Sequence, residues 1–433
     1  EWSDTYDRQI EDIFNVYDEI ASAVVRALKI TLTEDVAQRL ASRPTESIEA
    51  YDHYLQARSM LARADDEGRF QRASHFFSRA VETDPEFARA WAGRCESELG
   101  VYRFSREVDR IQQAETYCRE ALSLDPDLVE VRIALAELYR ISGQLDRADE
   151  EIQLALEGYP ADPDVFRALG WIRADQDDIG AAVRAYRRSI ELAPEDVRAY
   201  QDLGRLLFSV GQYEASAEIY RDMVDATAGS AAAYNGLGTA LVMLADFDEA
   251  AAAFREVLSK QPNPRAFSNV AWIYYHQGKF KDAVQMSREA IALSPGDYRL
   301  VGNLGDALKQ IPGRLQEAQD EYRQAAEMAE ALLAVNPADV DALSSLGHFY
   351  AQLGQVEKAR TFAEAAVEAA PDDVYAHYYA ALVWLETGNT SKAIDAIKAA
   401  TELGYSTVLL KADPQFEALA EDPRFMSLLK TTK

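Results

Sequence analysis

Along most of this chain apolar residues return at threes and fours, the period of an α-helix that buries one stripe. The helical stretches come in pairs. "VEVRIALAELYRISGQLDRADEEIQLALEGYP" reads as two amphipathic helices around a turn at Gly143 and ends at Pro160. "PDVFRALGWIRADQDDIGAAVRAYRRSIELAP" repeats the pattern and ends at Pro194, 34 residues later. The same frame recurs in "LGRLLFSVGQYEASAEIY", "LGTALVMLADFDEAAAAF", "VAWIYYHQGKFKDAVQMS", "LGHFYAQLGQVEKARTFA" and "AALVWLETGNTSKAIDAI". Prolines at 85, 126, 160, 194, 262, 295, 337 and 371 close successive units, with one proline-less closure near Ala228.

Each position of the frame has a physical reason. A small residue (Ala136, Gly170, Gly204, Gly238, Ala271, Gly305, Gly347, Ala381) lets the first helix of a pair approach the second closely. Twelve residues on, the regular units carry another: Ala148, Ala182, Ser216, Ala250, Ala283, Ala359, Ala393. Gly143, Gly211, Gly278, Gly354 and Gly388 supply the left-handed residue that ends the first helix. Tyr186, Tyr220 and Phe254 fill the groove between neighbouring units. Asp162, Asp196, Asp339 and Asp373 are placed to cap the next first helix, with Pro163 at its opening position.

This 34-residue pattern resembles the tetratricopeptide repeat family from about residue 46 to 405. The resemblance implies an all-α fold, a right-handed superhelical solenoid of about ten helix-turn-helix repeats. Three units depart from the regular length. The first has a longer loop, "RADDEGRFQ"; the second carries "GVYRFSREVDRIQQ" between its helices; the eighth has an extended second helix within "LKQIPGRLQEAQDEYRQAAEMAEALLAVNP". In a solenoid such insertions project from one edge and are places to look for partner contacts. Beyond the array, "GYSTVLLKADPQFEALAEDPRFMSLLK" fits neither helix of a unit, and a capping segment at 406–433 over the last apolar face is expected.

In the family the first helices line a concave groove that takes an extended peptide or a helix. Mapped onto this chain, the groove positions are Arg167, Trp171, Gln201, Arg205, Asn235, Thr239, Trp272, Asp306, Ser344, His348 and Tyr378. More than half of these are expected to be merely solvated. Trp171 and Trp272 are the sharpest candidates, because exposed tryptophans are common interface anchors; the alternative is burial against a neighbouring helix. The lysine and asparagine clamp with which some family members hold a C-terminal carboxylate is absent: the matching positions hold Gln201, Arg205, Asn235 and Thr239. Only Asn269 and Asn303 share a frame position, with Asn235 one residue off, so an asparagine ladder is not indicated.

Composition narrows the partners. With 73 acidic and 45 basic residues the formal net charge is −28, which phosphate backbones and anionic membrane surfaces repel. Nucleic-acid contact by this segment is not expected, and no apolar run approaches the roughly 20 residues a membrane span needs. The five histidines (53, 75, 276, 348, 377) form no helical ligand pair, and the acidic loop "RADQDDIG" lacks calcium-loop spacing, so neither metal nor cofactor is expected. No phosphate loop, nucleophile elbow or other constellation reads as catalytic. Cys95 stands at the small-residue position of the second unit and Cys118 at the aromatic position of its second helix. A pair of reduced, buried core thiols is favoured over a disulfide, since free cysteine buries readily. If oxidised, the bridge would join the two helices around the long insertion.

Ahead of the array, Ile10, Ile13, Phe14, Tyr17, Ile20, Ala21, Val24, Val25 and Leu28 form one apolar stripe, and Thr31 with Glu34 resembles a capping box. The stretch "EWSDTYDRQIEDIFNVYDEIASAVVRAL…RLASRPTESIEAYDHYLQARSML", with the closing "DPQFEALAEDPRFMSLL", looks like the junction in bacterial multidomain signalling proteins. In those, an α/β domain resembling the N-terminal part of TolB precedes tetratricopeptide repeats. Upstream they carry a winged-helix DNA-binding or a class III nucleotide cyclase domain, often with a membrane span between. The resemblance implies that residues 1–45 are a helical lead-in left from such a domain, followed by the array at 46–405 and the cap at 406–433. Three functions follow: a non-enzymatic scaffold or sensor for a protein or peptide in a bacterial regulator, a self-assembling or complex-coating structure, or the regulatory end of an adenylate-cyclase-like enzyme whose catalysis lies elsewhere. The compartment stays open between the periplasmic side of an inner-membrane protein and the cytoplasm.

Overall fold

The computed structural model describes residues 44–61 and 68–430. The lead-in stripe, the Thr31–Glu34 capping box and most of the first-unit loop lie outside these residues. The described chain is helical and falls into two compact units, divided between Pro194 and Glu195. The first holds four helix pairs: α1 Ile48–Leu61 with α2 Arg69–Thr83, α3 Ala88–Ser105 with α4 Val108–Leu124, α5 Val129–Ile141 with α6 Leu145–Gly158, and α7 Pro163–Asp175 with α8 Ile179–Leu192. The second holds six: α9 Val197–Ser209 with α10 Tyr213–Ala226, α11 Ala231–Met243 with α12 Phe247–Lys260, α13 Pro264–His276 with α14 Phe280–Leu293, α15 Tyr298–Lys309 with α16 Leu315–Leu333, α17 Val340–Gln352 with α18 Val356–Ala369, and α19 Val374–Glu386 with α20 Thr390–Glu402. Within each unit every pair packs on the next, so the all-α solenoid of helix pairs expected from the frame is present.

The frame positions do what their chemistry predicts. Ala148, Ala182, Ala250, Ala359 and Ala393 are fully buried between helices. Ser216 holds the same place because its hydroxyl donates to the Gly204 carbonyl at 2.8 Å. A Cβ at Gly204 would lie 2.6 Å from the Tyr220 ring, so glycine here is what admits the aromatic. Asp162, Asp196, Asp339 and Asp373 each accept a hydrogen bond from a backbone N–H of the helix they precede. The turn glycines have positive φ, and where the turn lacks glycine, Asp177 and Ala245 take the left-handed conformation instead. Near the proline-less closure Ala228 and Gly229 both have positive φ.

Two expectations change. The second-unit insertion does not form a loop: it lengthens α3 to 18 residues and α4 to 17, leaving Arg106 and Glu107 as the connection. Continuing the helices satisfies their backbone hydrogen bonds internally, at the cost of exposing Phe104 (58%). The second correction concerns the cysteines. Cys95 and Cys118 are not reduced thiols but a disulfide joining α3 to α4, with both residues fully buried. The small-residue position of a first helix faces the aromatic position of its second helix, and here the Cα atoms stand 5.3 Å apart, within bonding reach.

After α20 the chain forms two one-turn helices, α21 Thr407–Ala412 and α22 Pro423–Leu428, around a 3-10 turn at Pro414–Leu419. Leu410, Phe416, Leu419 and Phe425 pack on Leu382, Ile394 and Ile397 of the last pair. Burying such side chains contributes roughly 1.5–3 kcal/mol each.

Candidate functional site

In the first unit the first helices share a face centred on Trp171. Arg167, one turn earlier on α7, places its guanidinium 4.4 Å from the indole centre, while Arg140 of α5 and Arg103 of α3 stand at 5.9 and 6.0 Å. Between the last two lies Glu137, 5% exposed, which accepts from Arg103 at 2.6 Å and from Arg140 at 3.0 Å. Arg140 also reaches Asp175 at 2.8 Å. Burial works against ionisation of Glu137, but the two guanidinium charges and their hydrogen bonds outweigh it and hold its carboxyl below the usual range. The same lattice raises Arg140 despite its burial. Arg103 and Glu137 are 34 residues apart, and Trp171 and Arg205 continue the series at the same step. The repeat frame therefore carries the signal for Arg103 and Glu137, the first two members of the position whose third and fourth are the expected groove residues Trp171 and Arg205.

In the second unit the expected groove residues divide. Arg205 is exposed and ion-pairs with Asp202 beside it on α9, with Gln201 half-buried. Asn235 and Thr239 are half-buried on α11, where the Thr239 hydroxyl donates to the Asn235 carbonyl at 2.8 Å. Trp272 lies partly buried with its ring stacked on His276 at 3.7 Å and edge-on to Phe247 at 5.9 Å. Ser344 (3% exposed) and His348 (1%) are in the interior instead of on an open wall, because α19 packs across α17. His348 Nε2 lies 2.8 Å from Asp306 Oδ1, which also accepts from the Tyr322 hydroxyl at 2.7 Å.

Tyr378, the last expected groove residue, is engaged by the chain's own C-terminal segment. Its hydroxyl donates to Asp413 Oδ2 at 2.6 Å, its ring stacks on Tyr405 at 4.9 Å, and Phe416 meets it edge-on at 5.9 Å. Asp413 is 4% exposed and also accepts from the Gln415 N–H at 2.9 Å. Burial pushes the Asp413 carboxyl up, against the opposing influence of His276, the Tyr378 hydroxyl and the Gln415 N–H. His276 is pushed down by burial, with Asp413 and the Trp272 carbonyl opposing. A cavity of about 410 Å³ lies between this segment and α13, α15, α17 and α19, walled by Tyr275, Asp306, Gln310, Gln352, Glu386 and Gln415 among others. Lys309 Nζ donates to Gln352 at 2.6 Å and to Glu386 at 3.0 Å along its edge. Among the described residues no cluster of histidine, cysteine or carboxylate side chains could hold a metal ion, and no helix is long and apolar enough to cross a membrane.

Antiparallel helix pairs, stacked within each compact unit so that their first helices share a polar and aromatic face, define an α-solenoid of the protein-interaction type. The chain belongs to the tetratricopeptide repeat family: tetratricopeptide repeat models match residues 167–231, 235–298, 313–374 and 360–405, and a second such model matches 106–172. A curated relative, "Putative adenylate cyclase 3" of Rhizobium meliloti (strain 1021), is 29% identical over 153 residues, which cover 34% of this chain and 26% of the relative. The aligned part thus spans about a quarter of that protein's length. Among solved structures, MamA is 23% identical with a TM-score of 0.36, covering 39% of this chain and 92% of that one. YrrB, described as a TPR protein with an unusual peptide-binding site, is 25% identical with a TM-score of 0.32, covering 45% and 97%.

Proposed function

We propose that this chain is a non-enzymatic binding scaffold that recognises an extended peptide or a helix on the faces built by its first helices. The observation that carries the reading is the run of polar and aromatic side chains those helices present in one frame: Trp171 among its arginines in the first unit, and Gln201, Asn235, Trp272 and Tyr378 in the second. The finer reading makes the array the recognition part of a bacterial regulator. The partial similarity to a protein named as an adenylate cyclase supports it, as does the resemblance of residues 1–60 and of the closing segment to TolB-like junctions. In that reading the array is a regulatory region, and residues 1–45, 46–405 and 406–433 are its lead-in, array and cap. The Cys95–Cys118 disulfide supports an oxidising compartment, hence the periplasmic alternative.

The test is affinity capture from the source cell with the chain as bait, followed by mass spectrometry and repetition with Trp171→Ala and Trp272→Ala. A specific partner lost in either variant, with helical circular dichroism unchanged, supports the groove. If a variant instead melts several degrees lower, that tryptophan belongs to the core and its assignment falls.

A further inference from the structure

The first-helix face of the second unit already has an occupant, the chain's own Asp413–Leu419. Capping the last helix pair needs only apolar cover, which Leu410, Leu419 and Phe425 supply. It does not need a buried carboxylate, which is costly unless partnered. Yet Asp413 is buried on this face, bonded to Tyr378 of α19 and close enough to Tyr275 and His276 of α13 and Asp306 of α15 to act on their charges. Three residues on, Phe416 enters the apolar cluster of Tyr378, Leu382 and Ile397. The chain repeats Asp-Pro-x-Phe nine residues later, and there Asp422 is bonded only within its own turn, to the Arg424 side chain and N–H. So the placement of Asp413 follows from the groove it meets and not from the motif. Beside the segment, between Pro414–Ala418 and the first helices, the groove stays open as the 410 Å³ cavity, so a bulkier peptide has room alongside the turn. A single 3-10 turn has little stability of its own, so its hold on the groove comes from the side chains it buries there, Asp413, Phe416 and Leu419.

We propose that Asp413–Leu419 is an intramolecular occupant of the peptide groove, and that the partner segment which displaces it carries the same chemistry, a carboxylate followed three residues later by an aromatic side chain. This rests on the reading of that face as a peptide groove. The contact is autoinhibitory: a partner must outcompete a tethered segment present at high effective concentration.

The probe is a fluorescein-labelled peptide of residues 411–421, added to the full chain and followed by anisotropy. The double variant Asp413→Ala/Phe416→Ala, whose own segment is loosened, should bind it at least about tenfold more tightly than the unmodified chain, because an intramolecular competitor is removed. A peptide with alanine at both positions should bind neither protein. Hydrogen exchange of the Val374–Glu386 amides should quicken in the double variant and slow again on adding the peptide. Unchanged exchange in the variant would show that the segment does not occupy the groove. Faster exchange without tighter binding, or equal binding of the alanine peptide, would show that the groove does not read this chemistry. Either result overturns the proposal. The scaffold reading is judged separately, by whether Trp272→Ala loses the partner captured from the cell.

Discussion

At the scale of single residues, the close approach of helices sets the sharpest demands. A methyl at Gly204 would overlap the Tyr220 ring, so Gly204→Ala should destabilise by roughly 1–3 kcal/mol, read as a lower urea midpoint with unchanged slope. The disulfide closes a loop between residues 23 apart. Its removal by Cys118→Ser should cost about 3 kcal/mol, mainly through the freer unfolded chain. The measurement is a guanidinium titration with and without dithiothreitol: the unmodified chain should lose stability on reduction, whereas Cys118→Ser should not respond. The positions of both cysteines in the repeat frame were legible from sequence. Their pairing was not, because burial suits a thiol and a disulfide equally and only the distance between the helices decides.

At the scale of elements, α13, α15, α16, α17 and α19 concentrate phenols in the second unit. Burial pushes Tyr298 and Tyr350 up to about 12, and carries Tyr275, Tyr322, Tyr378 and Tyr379 in the same direction. A phenol whose folded value lies above its unfolded value of about 10 contributes its full stability below pH 10. That stability is lost as pH rises from about 10 through the folded values, since the unfolded chain releases its protons first. We therefore expect helical circular dichroism to fall and phenolate absorbance to rise together above pH 10. Tyrosines that titrate while the helices stay intact would contradict this. The pairing of helices, their caps and their turns were all readable, since each depends on residues three, four or twelve apart. The burial of Ser344 and His348 was not, because it is α19, two helices further along the chain, that covers them.

For the molecule as a whole, charge and surface set the expectations. At −28 the chain should bind neither duplex DNA nor anionic vesicles at physiological salt, which gel mobility and vesicle co-sedimentation check. Self-assembly is the competing whole-molecule function. Light scattering across a range of concentrations separates it from the scaffold reading: a strict monomer at high concentration removes self-assembly, and a growing mass would make the repeats a structural coat.

By itself the sequence determined the repeat length, the ten helix pairs among the described residues, the caps of the first helices and the glycine turns, because those features rest on periodicity and on contacts within one unit. Tertiary structure alone decided which groups meet between helices: the Cys95–Cys118 bond within one helix pair, the reach of the Arg140 guanidinium to Trp171, and the seating of Asp413 and Phe416 on Tyr378. In sequence Asp413 is one more aspartate before a proline, indistinguishable from Asp422. Its burial comes from where the chain turns back on the first helices, and so from geometry that no local pattern carries.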